Sequence, residues 1–163
     1  MKWKKYAAAA LATMMIAGNA MAVTASASAR DSDFAINIST SGKSQNLASR
    51  RQKEDSSYTY VNYSTKLNGS SAYAPAKFRA YVYGSNGSKG TLVDCSSYTS
   101  SGAARKPAIV TLGTRGFITQ LVREKYGANA YAQLYGSYYA GTGYANGCWS
   151  PDSVPDSSAI YYN

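Results

Sequence analysis

The chain has 163 residues, with 17 Lys and Arg against 8 Asp and Glu, and it contains no histidine. This length fits one domain. The lack of histidine excludes Ser-His-Asp and Cys-His catalytic arrangements, histidine-ligated zinc and a histidine pH switch. We therefore expect a protein that is not an enzyme and that needs no cofactor, with carboxylate-based hydrolysis as the only enzymatic alternative.

The first 22 residues have the pattern of a secretory signal peptide. Three lysines within the first five residues precede an uncharged apolar run, and Ala20-Met21-Ala22 supplies small residues for cleavage. A second such site is Ala27-Ser28-Ala29. The run is about a dozen residues, whereas a membrane span needs ~20. We predict a signal helix removed after residue 22, or alternatively after residue 29, and no permanent membrane span. Residues 23–163 then form a single secreted domain released outside the cell.

The composition of the secreted domain is cationic and rich in tyrosine. Without the three leader lysines, 14 basic residues remain against 8 acidic ones. Such a charge favours an anionic cell-envelope polymer or a target-cell surface as partner, without any specific nucleic acid, although it also serves ordinary solubility. Isoleucine, leucine and valine are sparse, while fifteen of the sixteen tyrosines remain. Tyrosine is therefore expected to supply much of the buried apolar area.

Cys95 and Cys148 are the only cysteines. In an exported protein a pair of cysteines generally oxidises, so we expect one disulfide between them. Two unpaired thiols are the alternative.

The hydrophobic pattern predicts a mainly β domain. Phe34, Ile36 and Ile38 alternate with small or polar residues, the period of a half-buried strand. Asn-Gly pairs at 68–69, 86–87 and 146–147 favour tight hairpin turns. Together these signals predict an antiparallel β-sandwich-like meander with strands near 34–38, 58–66, 77–84, 91–96, 107–112, 130–135 and 147–150.

Two segments depart from this strand pattern. Residues 41–57 are polar and contain a run of charges from Arg50 to Asp55, which indicates a long solvated loop. Between 115 and 126, Phe117, Leu121 and Val122 recur at helical spacing, and Gly127 can supply a left-handed cap. We predict one short helix there.

The candidate binding residues are basic and aromatic. Alternation along the third strand puts Lys77, Arg79, Tyr81 and Tyr83 on one face, opposite Phe78, Ala80 and Val82. A tyrosine-rich segment adds Tyr131, Tyr135 and, further on, Trp149. Exposed tyrosines provide contact area at low entropy cost and can stack on sugar rings. The alternative is that these rings fill the core.

The acidic residues offer two weaker sites. A carboxylate hydrolase would need two acids across a cleft, and Glu124, Asp94, Asp152 and Asp156 are the candidates. Asp152 and Asp156 lie four residues apart within Pro-Asp-Ser repeats, where their oxygens could contribute to a calcium site. Otherwise the same residues are turn formers.

Three segments carry a resemblance to a known kind of protein. These are Val122-Arg-Glu124-Lys-Tyr-Gly127, Ala132-Gln-Leu134 and Gly147-Cys-Trp149-Ser150-Pro151-Asp152-Ser153. The chain resembles small secreted Gram-positive proteins of unknown function that have a signal peptide, an antiparallel β domain and a late Gly-x-Trp-Ser-Pro-Asp-Ser segment. The resemblance implies a link to bacteriocin-like systems for some members, and it supplies no catalytic residue. Cys148 stands where such proteins usually have an aliphatic residue, which implies that a disulfide is particular to this chain.

Three functions follow as hypotheses. The first is a secreted cationic interaction protein, bacteriocin-like, that acts at the surface of other cells. The second is a non-toxic module that binds cell wall or glycan through its tyrosines. The third is a carboxylate hydrolase.

Overall fold

The structure is a computed structural model that describes residues 31–64, 74–96, 107–155 and 160–162. The predicted signal peptide with both cleavage sites, the Asn68-Gly69 turn and Asp156 lie outside these described residues. Among the described residues, no helix has both the length and the apolar character required to cross a membrane.

The described part of the chain is built mainly of strands. In chain order these are β1 (Ser32–Ile38), β2 (Lys43–Gln45), β3 (Arg51–Gln52), β4 (Tyr58–Tyr63), β5 (Lys77–Asn86), β6 (Val93–Asp94), β7 (Ala108–Thr111), β8 (Arg115–Ile118), β9 (Ala130–Ala140), β10 (Gly143–Ser153) and β11 (Ile160–Tyr161). A short helix, α1 (Val122–Tyr126), continues into a 3₁₀ turn at Gly127–Asn129 and lies between β8 and β9.

The strands form two sheets that share one core. Sheet 1 has the order β1-β10-β4-β8-β11, and sheet 2 has the order β2-β9-β5-β6, with β3 also paired to β9 and β7 to β5. All pairings are antiparallel except that of β11 with β8. The mainly β, antiparallel, sandwich-like fold is thus confirmed. Most neighbouring strands are distant in sequence, however, so the order differs from that of a simple meander.

The link between β9 and β10 shows how the chain changes sheets. These long strands are joined by only two residues, yet β9 belongs to sheet 2 and β10 to sheet 1. Gly141 and Gly143 flank the corner with φ of 90° and 128°. Residues other than glycine rarely adopt such backbone angles, so these glycines permit the sharp change of direction.

Aliphatic and phenylalanine side chains fill most of the core. Phe34 of sheet 1 packs on Phe78 of sheet 2, with ring centroids 6.3 Å apart. Tyr63 meets the same Phe78 ring edge-on at 5.2 Å and donates its hydroxyl hydrogen bond to the carbonyl of Pro75 at 2.5 Å. Among the described tyrosines only Tyr63 is fully buried. Most other described tyrosines are half-buried, and Tyr126 and Tyr162 pack against the core, so tyrosine contributes apolar area mainly at the margin of the core.

Residues 41–57 are only partly the solvated loop that the sequence predicts. Within them, β2 and β3 pair with the edge of β9, and the Lys53 side chain in the charged run is completely buried. The sequence pattern misses these strands because they are two or three residues long and carry no apolar alternation.

The helix is shorter than predicted. It ends at Tyr126 as expected, and Gly127 follows with a φ of 60°, but residues 115–118 form β8. Phe117 packs against the rings of Tyr58 and Tyr60 at 6.1 Å and 5.7 Å. Pairing of β8 with β4 therefore overrides the local helical spacing.

The Asn146-Gly147 pair is not a turn, because it lies inside β10. A Cβ on Gly147 would come within 2.0 Å of the Asn62 carbonyl oxygen and within 2.6 Å of the Phe34 ring. The glycine is needed here for close strand packing. Gly87, by contrast, has a φ of 77° just after β5, as expected for a turn.

The predicted disulfide is wrong, since both cysteines are free. Cys95 is buried in the core beside α1, near Gly84 and Val122. Cys148 lies between two buried residues of β10, so its side chain faces away from the core, and its Sγ lies 3.6 Å from Asp31 Oδ2. Cys95, just after β6, thus lies inside the core, whereas the Cys148 side chain points out of sheet 1, so the two thiols do not meet.

Buried tyrosine makes the fold sensitive to alkali. Burial raises the pKa of Tyr63 above its ordinary value of 10.0, so the folded protein holds this proton more tightly than the unfolded chain does. The resulting stability is complete below pH 10 and is lost as the pH rises above it, by up to roughly 1.4 kcal/mol per pH unit. We expect Tyr63→Phe to reduce this alkaline loss in thermal unfolding measured from pH 8 to 12. At neutral pH the same variant should lose about 1 kcal/mol because the Pro75 carbonyl loses its donor.

The matched control is Tyr144→Phe, at an exposed tyrosine of sheet 1. An unchanged alkaline slope in Tyr63→Phe would show that another group controls the transition.

Candidate functional site

The outer side of sheet 2 carries a basic aromatic face, defined by Lys43, Lys77, Arg79, Tyr81, Tyr83 and Tyr135. Along β5, residues alternate between buried and accessible positions, so Lys77, Arg79, Tyr81 and Tyr83 all point away from the core. Tyr135 of β9 lies directly opposite Tyr81. The predicted common face of these β5 residues is confirmed, with Tyr135 on the neighbouring strand.

The tyrosines of the face are fixed by contacts with one another and with polar neighbours. Tyr83 and Tyr135 stack with ring centroids 4.2 Å apart and planes inclined by 30°. Tyr135 donates its hydroxyl to Gln45 Oε1 at 3.1 Å, and the Tyr81 hydroxyl lies 3.3 Å from Ser137 Oγ. Partial burial raises the pKa of Tyr135, with Tyr83 adding to the shift. The rings therefore form an ordered surface.

Lys43 of β2 completes the centre of the face. Its Nζ lies 3.9 Å from the centroid of the Tyr81 ring, a cation–π contact, and donates to the Tyr83 hydroxyl at 3.1 Å. It also forms a 3.0 Å ion pair with Asp94 Oδ2. Partial burial acts to lower the pKa of Lys43, but the hydrogen bonds to Tyr83 and Asp94 outweigh it and raise the pKa. Lys43 thus remains charged at physiological pH.

Arg79 extends the positive charge along β5. Its guanidinium lies 5.0 Å from the Tyr139 ring centroid and donates to the carbonyl of Tyr138. Lys77, at the start of the same strand, is exposed. Two of the tyrosines near this end, Tyr138 and Tyr139, are about 40% exposed, so the aromatic character continues there.

A cleft of about 490 Å³ adjoins the face at Gln45. Arg50 and Lys89 also line it, and Arg50 donates to Ser85 Oγ at 3.3 Å. The cleft therefore adds two cationic side chains next to the stacked tyrosines.

A family described as protein of unknown function (DUF2712) matches residues 21–153 of the chain. The chain belongs to this family. No curated protein and no solved structure matches it. The DUF2712 match covers the basic aromatic face completely, along with the late Trp149-to-Ser153 segment that carried the resemblance seen in the sequence.

Two predicted binding residues of this DUF2712 chain do not join the face. Trp149 is fully buried in the core, on β10 of the other sheet, so it is not available to a ligand at the surface. Tyr131 lies on β9 opposite Ser85 and is half-buried. Gln133 lies between Tyr131 and Tyr135 and is completely buried. Its side-chain amide donates to the carbonyls of Asn46 and Ala48 at 2.9 Å and 3.0 Å. The 46–48 segment therefore separates Tyr131 from the face.

Sequence reasoning also missed Lys43. Its contacts depend on pairing of Lys43 with Ser137 of β9, more than 90 residues away. The short polar strand Lys43-Ser44-Gln45 offers no pattern from which this pairing could be read. Only the tyrosine-rich composition of its partner strands pointed to this region.

The structure does not favour the calcium candidate at Asp152. Asp152 is buried and its carboxylate binds the ammonium of Lys53 at 2.8 Å instead of facing a metal. Its proposed companion, Asp156, is outside the described residues. No group of three or more metal-ligating side chains occurs within the described ranges.

Two of the candidate acids do share a pocket. Asp94 and Glu124 both line a cavity of about 330 Å³, together with Cys95 and Lys125. Both oxygens of Asp94 are engaged, one by Lys43 and the other by the backbone N–H of Ser96 at 3.0 Å. Burial raises the pKa of the Cys95 thiol, which disfavours the thiolate. These features do not favour hydrolysis, and the absence of enzymatic activity stays a prediction.

Proposed function

We propose that this DUF2712 protein is secreted and binds an anionic polymer of the cell envelope through its basic aromatic face. The observation that carries the proposal is the arrangement of three cations and a stacked tyrosine pair on one exposed sheet surface. The signal-peptide pattern and the cationic composition support it.

The face offers two kinds of contact that such a polymer needs. Tyrosine rings give flat apolar area for the sugar or polyol units, with hydroxyl groups for their hydrogen bonds. Lysine and arginine side chains attract the phosphates or carboxylates of the polymer. Because the cleft with Arg50 and Lys89 adjoins the face, an extended polymer could contact further positive charge beyond the tyrosines.

The ion pair between Lys43 and Asp94 determines the net charge at the centre of the face. Asp94 offsets one of the few positive charges there, and the pair is partly exposed to solvent. A phosphate of the ligand would compete with this carboxylate for the ammonium. The charge of Asp94 therefore sets how strongly the face attracts an anion.

Binding of this kind is common to the first two functional hypotheses. A bacteriocin-like protein would use it to reach the surface of other cells, and a non-toxic wall-binding module would use it for attachment alone. Growth inhibition of related bacteria by purified protein separates the two, since only the first predicts inhibition.

The first prediction of this proposal concerns the stacked tyrosines. Tyr135→Ala should weaken the pull-down of teichoic-acid-bearing cell walls about fivefold to tenfold, or ~1–1.4 kcal/mol, because it removes ring area and the partner of Tyr83. Wild-type binding should also fall as salt is raised, since exposed charges are screened within about 8–10 Å. Because Tyr135 is only half-buried, we expect a stability loss near 1 kcal/mol, measured by thermal unfolding.

The matched control is Tyr144→Ala, which removes an exposed tyrosine from sheet 1. Equal binding by the Tyr135 and Tyr144 variants, or unfolding of the Tyr135 variant, would leave the tyrosines as structural residues and contradict the proposal.

The second prediction concerns the charge at the centre of the face. Asp94→Asn keeps an acceptor for the Ser96 N–H but frees the charge of Lys43, so binding to the walls should strengthen about twofold to fivefold. Lys43→Ala should weaken binding by a similar factor. Walls stripped of teichoic acid serve as the reference for both variants.

If Asp94→Asn binds no better than wild type, or if both variants bind equally, attraction by this cation does not drive binding.

A further inference from the structure

A buried Lys–Asp pair lies away from the basic aromatic face. The ammonium of Lys53 lies 2.8 Å from Asp152 Oδ1, and both side chains are 0% exposed. Lys53 directly follows β3 of sheet 2, while Asp152 is near the end of β10 in sheet 1. The contact therefore joins the two sheets across 99 residues of sequence.

Backbone N–H groups surround the carboxylate of Asp152. The N–H of Glu54 donates to Oδ1 at 3.2 Å and to Oδ2 at 3.1 Å, and the N–H of Asp55 donates to Oδ1 at 3.3 Å. Preorganised donors of this kind stabilise negative charge that develops on an oxygen during addition to a carbonyl carbon. They thus make the carboxyl carbon Cγ of Asp152 more electrophilic.

The amine of Lys53 is oriented by two further oxygens. It donates to the carbonyl of Ser57 at 2.6 Å and lies 3.7 Å from Asp55 Oδ1. Partial burial acts to raise the pKa of Asp55, but hydrogen bonds from Ser57 and the charge of Lys53 outweigh it and lower the pKa. Asp55 is therefore an ionised carboxylate beside the amine, and it can act as a general base once it approaches to hydrogen-bond distance or through one water molecule.

We propose that Lys53 and Asp152 condense to form an intramolecular isopeptide bond. The reaction starts with transfer of a proton from the ammonium to the carboxylate across their 2.8 Å contact, which gives the neutral amine and the protonated carboxyl group that condensation requires. The neutral amine nitrogen attacks Cγ of Asp152. The Nζ–Cγ bond forms, Asp55 takes a proton from nitrogen and delivers it to the departing hydroxyl oxygen, the Cγ–O bond breaks, and one water molecule leaves.

The reaction needs no oxidant, reductant or co-reactant. Its driving features are proximity, since the fold holds the two groups in contact, and the removal of both buried charges from the product. The bond would also close a loop of about 100 residues, which restricts the unfolded chain as a disulfide would. It would thus supply, by other chemistry, the covalent link between distant segments that the free cysteines do not provide.

Lys43 and Asp94 provide an internal comparison. Their nitrogen and oxygen atoms are 3.0 Å apart, nearly as close as in the buried pair, but the side chains are 38% and 31% exposed. Water solvates both charges there, so proton transfer within the pair is not favoured. We expect condensation at Lys53 only.

The experiment is mass spectrometry of the purified full-length or secreted protein, after its N-terminus has been determined. The isopeptide bond predicts an intact mass lower than that of the sequence by one water molecule. In a tryptic digest, cleavage after Lys53 should be blocked, and a branched peptide should join the Lys53 and Asp152 segments. An intact mass equal to that expected from the sequence, with normal tryptic cleavage after Lys53, would show that the two residues form an ion pair only. That result would overturn the proposal.

Variants then test the assigned roles. Lys53→Arg retains the charge but should abolish the mass deficit. Asp55→Asn retains both reacting groups and should slow bond formation about a hundredfold or more, because it removes the proton carrier. Lys43→Arg, at the exposed pair, should leave the deficit unchanged. A deficit that persists in Lys53→Arg, or formation at the wild-type rate in Asp55→Asn, would contradict the mechanism.

Discussion

The ladder between β5 and β9 is the constraint on which the fold and the basic aromatic face both depend. It runs from Lys77 opposite Ala140 to Asn86 opposite Ala130, and it is the longest pairing in the described structure. Because alternate residues of a strand point to opposite sides, the same register that puts Phe78 and Val82 into the core puts Tyr81 beside Tyr135 on the surface. A slip by one residue would bury the charged and aromatic side chains and expose the core.

How far the sequence predicts this arrangement depends on whether a feature is local. The alternation along β5 is local, so the face formed by Lys77, Arg79, Tyr81 and Tyr83 was predictable. Which strand lies beside it depends on long-range pairing, and for this reason Lys43 was missed. Trp149 was misassigned because its burial depends on the opposite sheet, and aromatic residues serve equally well in cores and on binding surfaces.

The charged run from Arg50 to Asp55 shows that the burial of a charged residue also depends on long-range contacts. Lysine is rarely buried, so a run of charges indicates a solvated segment. Lys53 is nevertheless buried because its ammonium contacts the distant Asp152 and the carbonyl of Ser57. Asp152 in turn looked like a turn residue or a calcium ligand until its partner was known. For the cysteines, composition predicted a contact that the fold does not make, because Cys95 and Cys148 lie apart and are both free.

The most direct test of the account is NMR mapping of tyrosine ring signals during titration with a soluble anionic wall polymer. If the basic aromatic face binds the polymer, the signals of Tyr81, Tyr83 and Tyr135 should shift together and return when salt is added. The exposed rings of Tyr144 and Tyr161 on sheet 1 should remain unchanged. Shifts confined to the sheet 1 tyrosines, or no shifts at all at polymer excess, would contradict the claim that the outer side of sheet 2 is the binding surface.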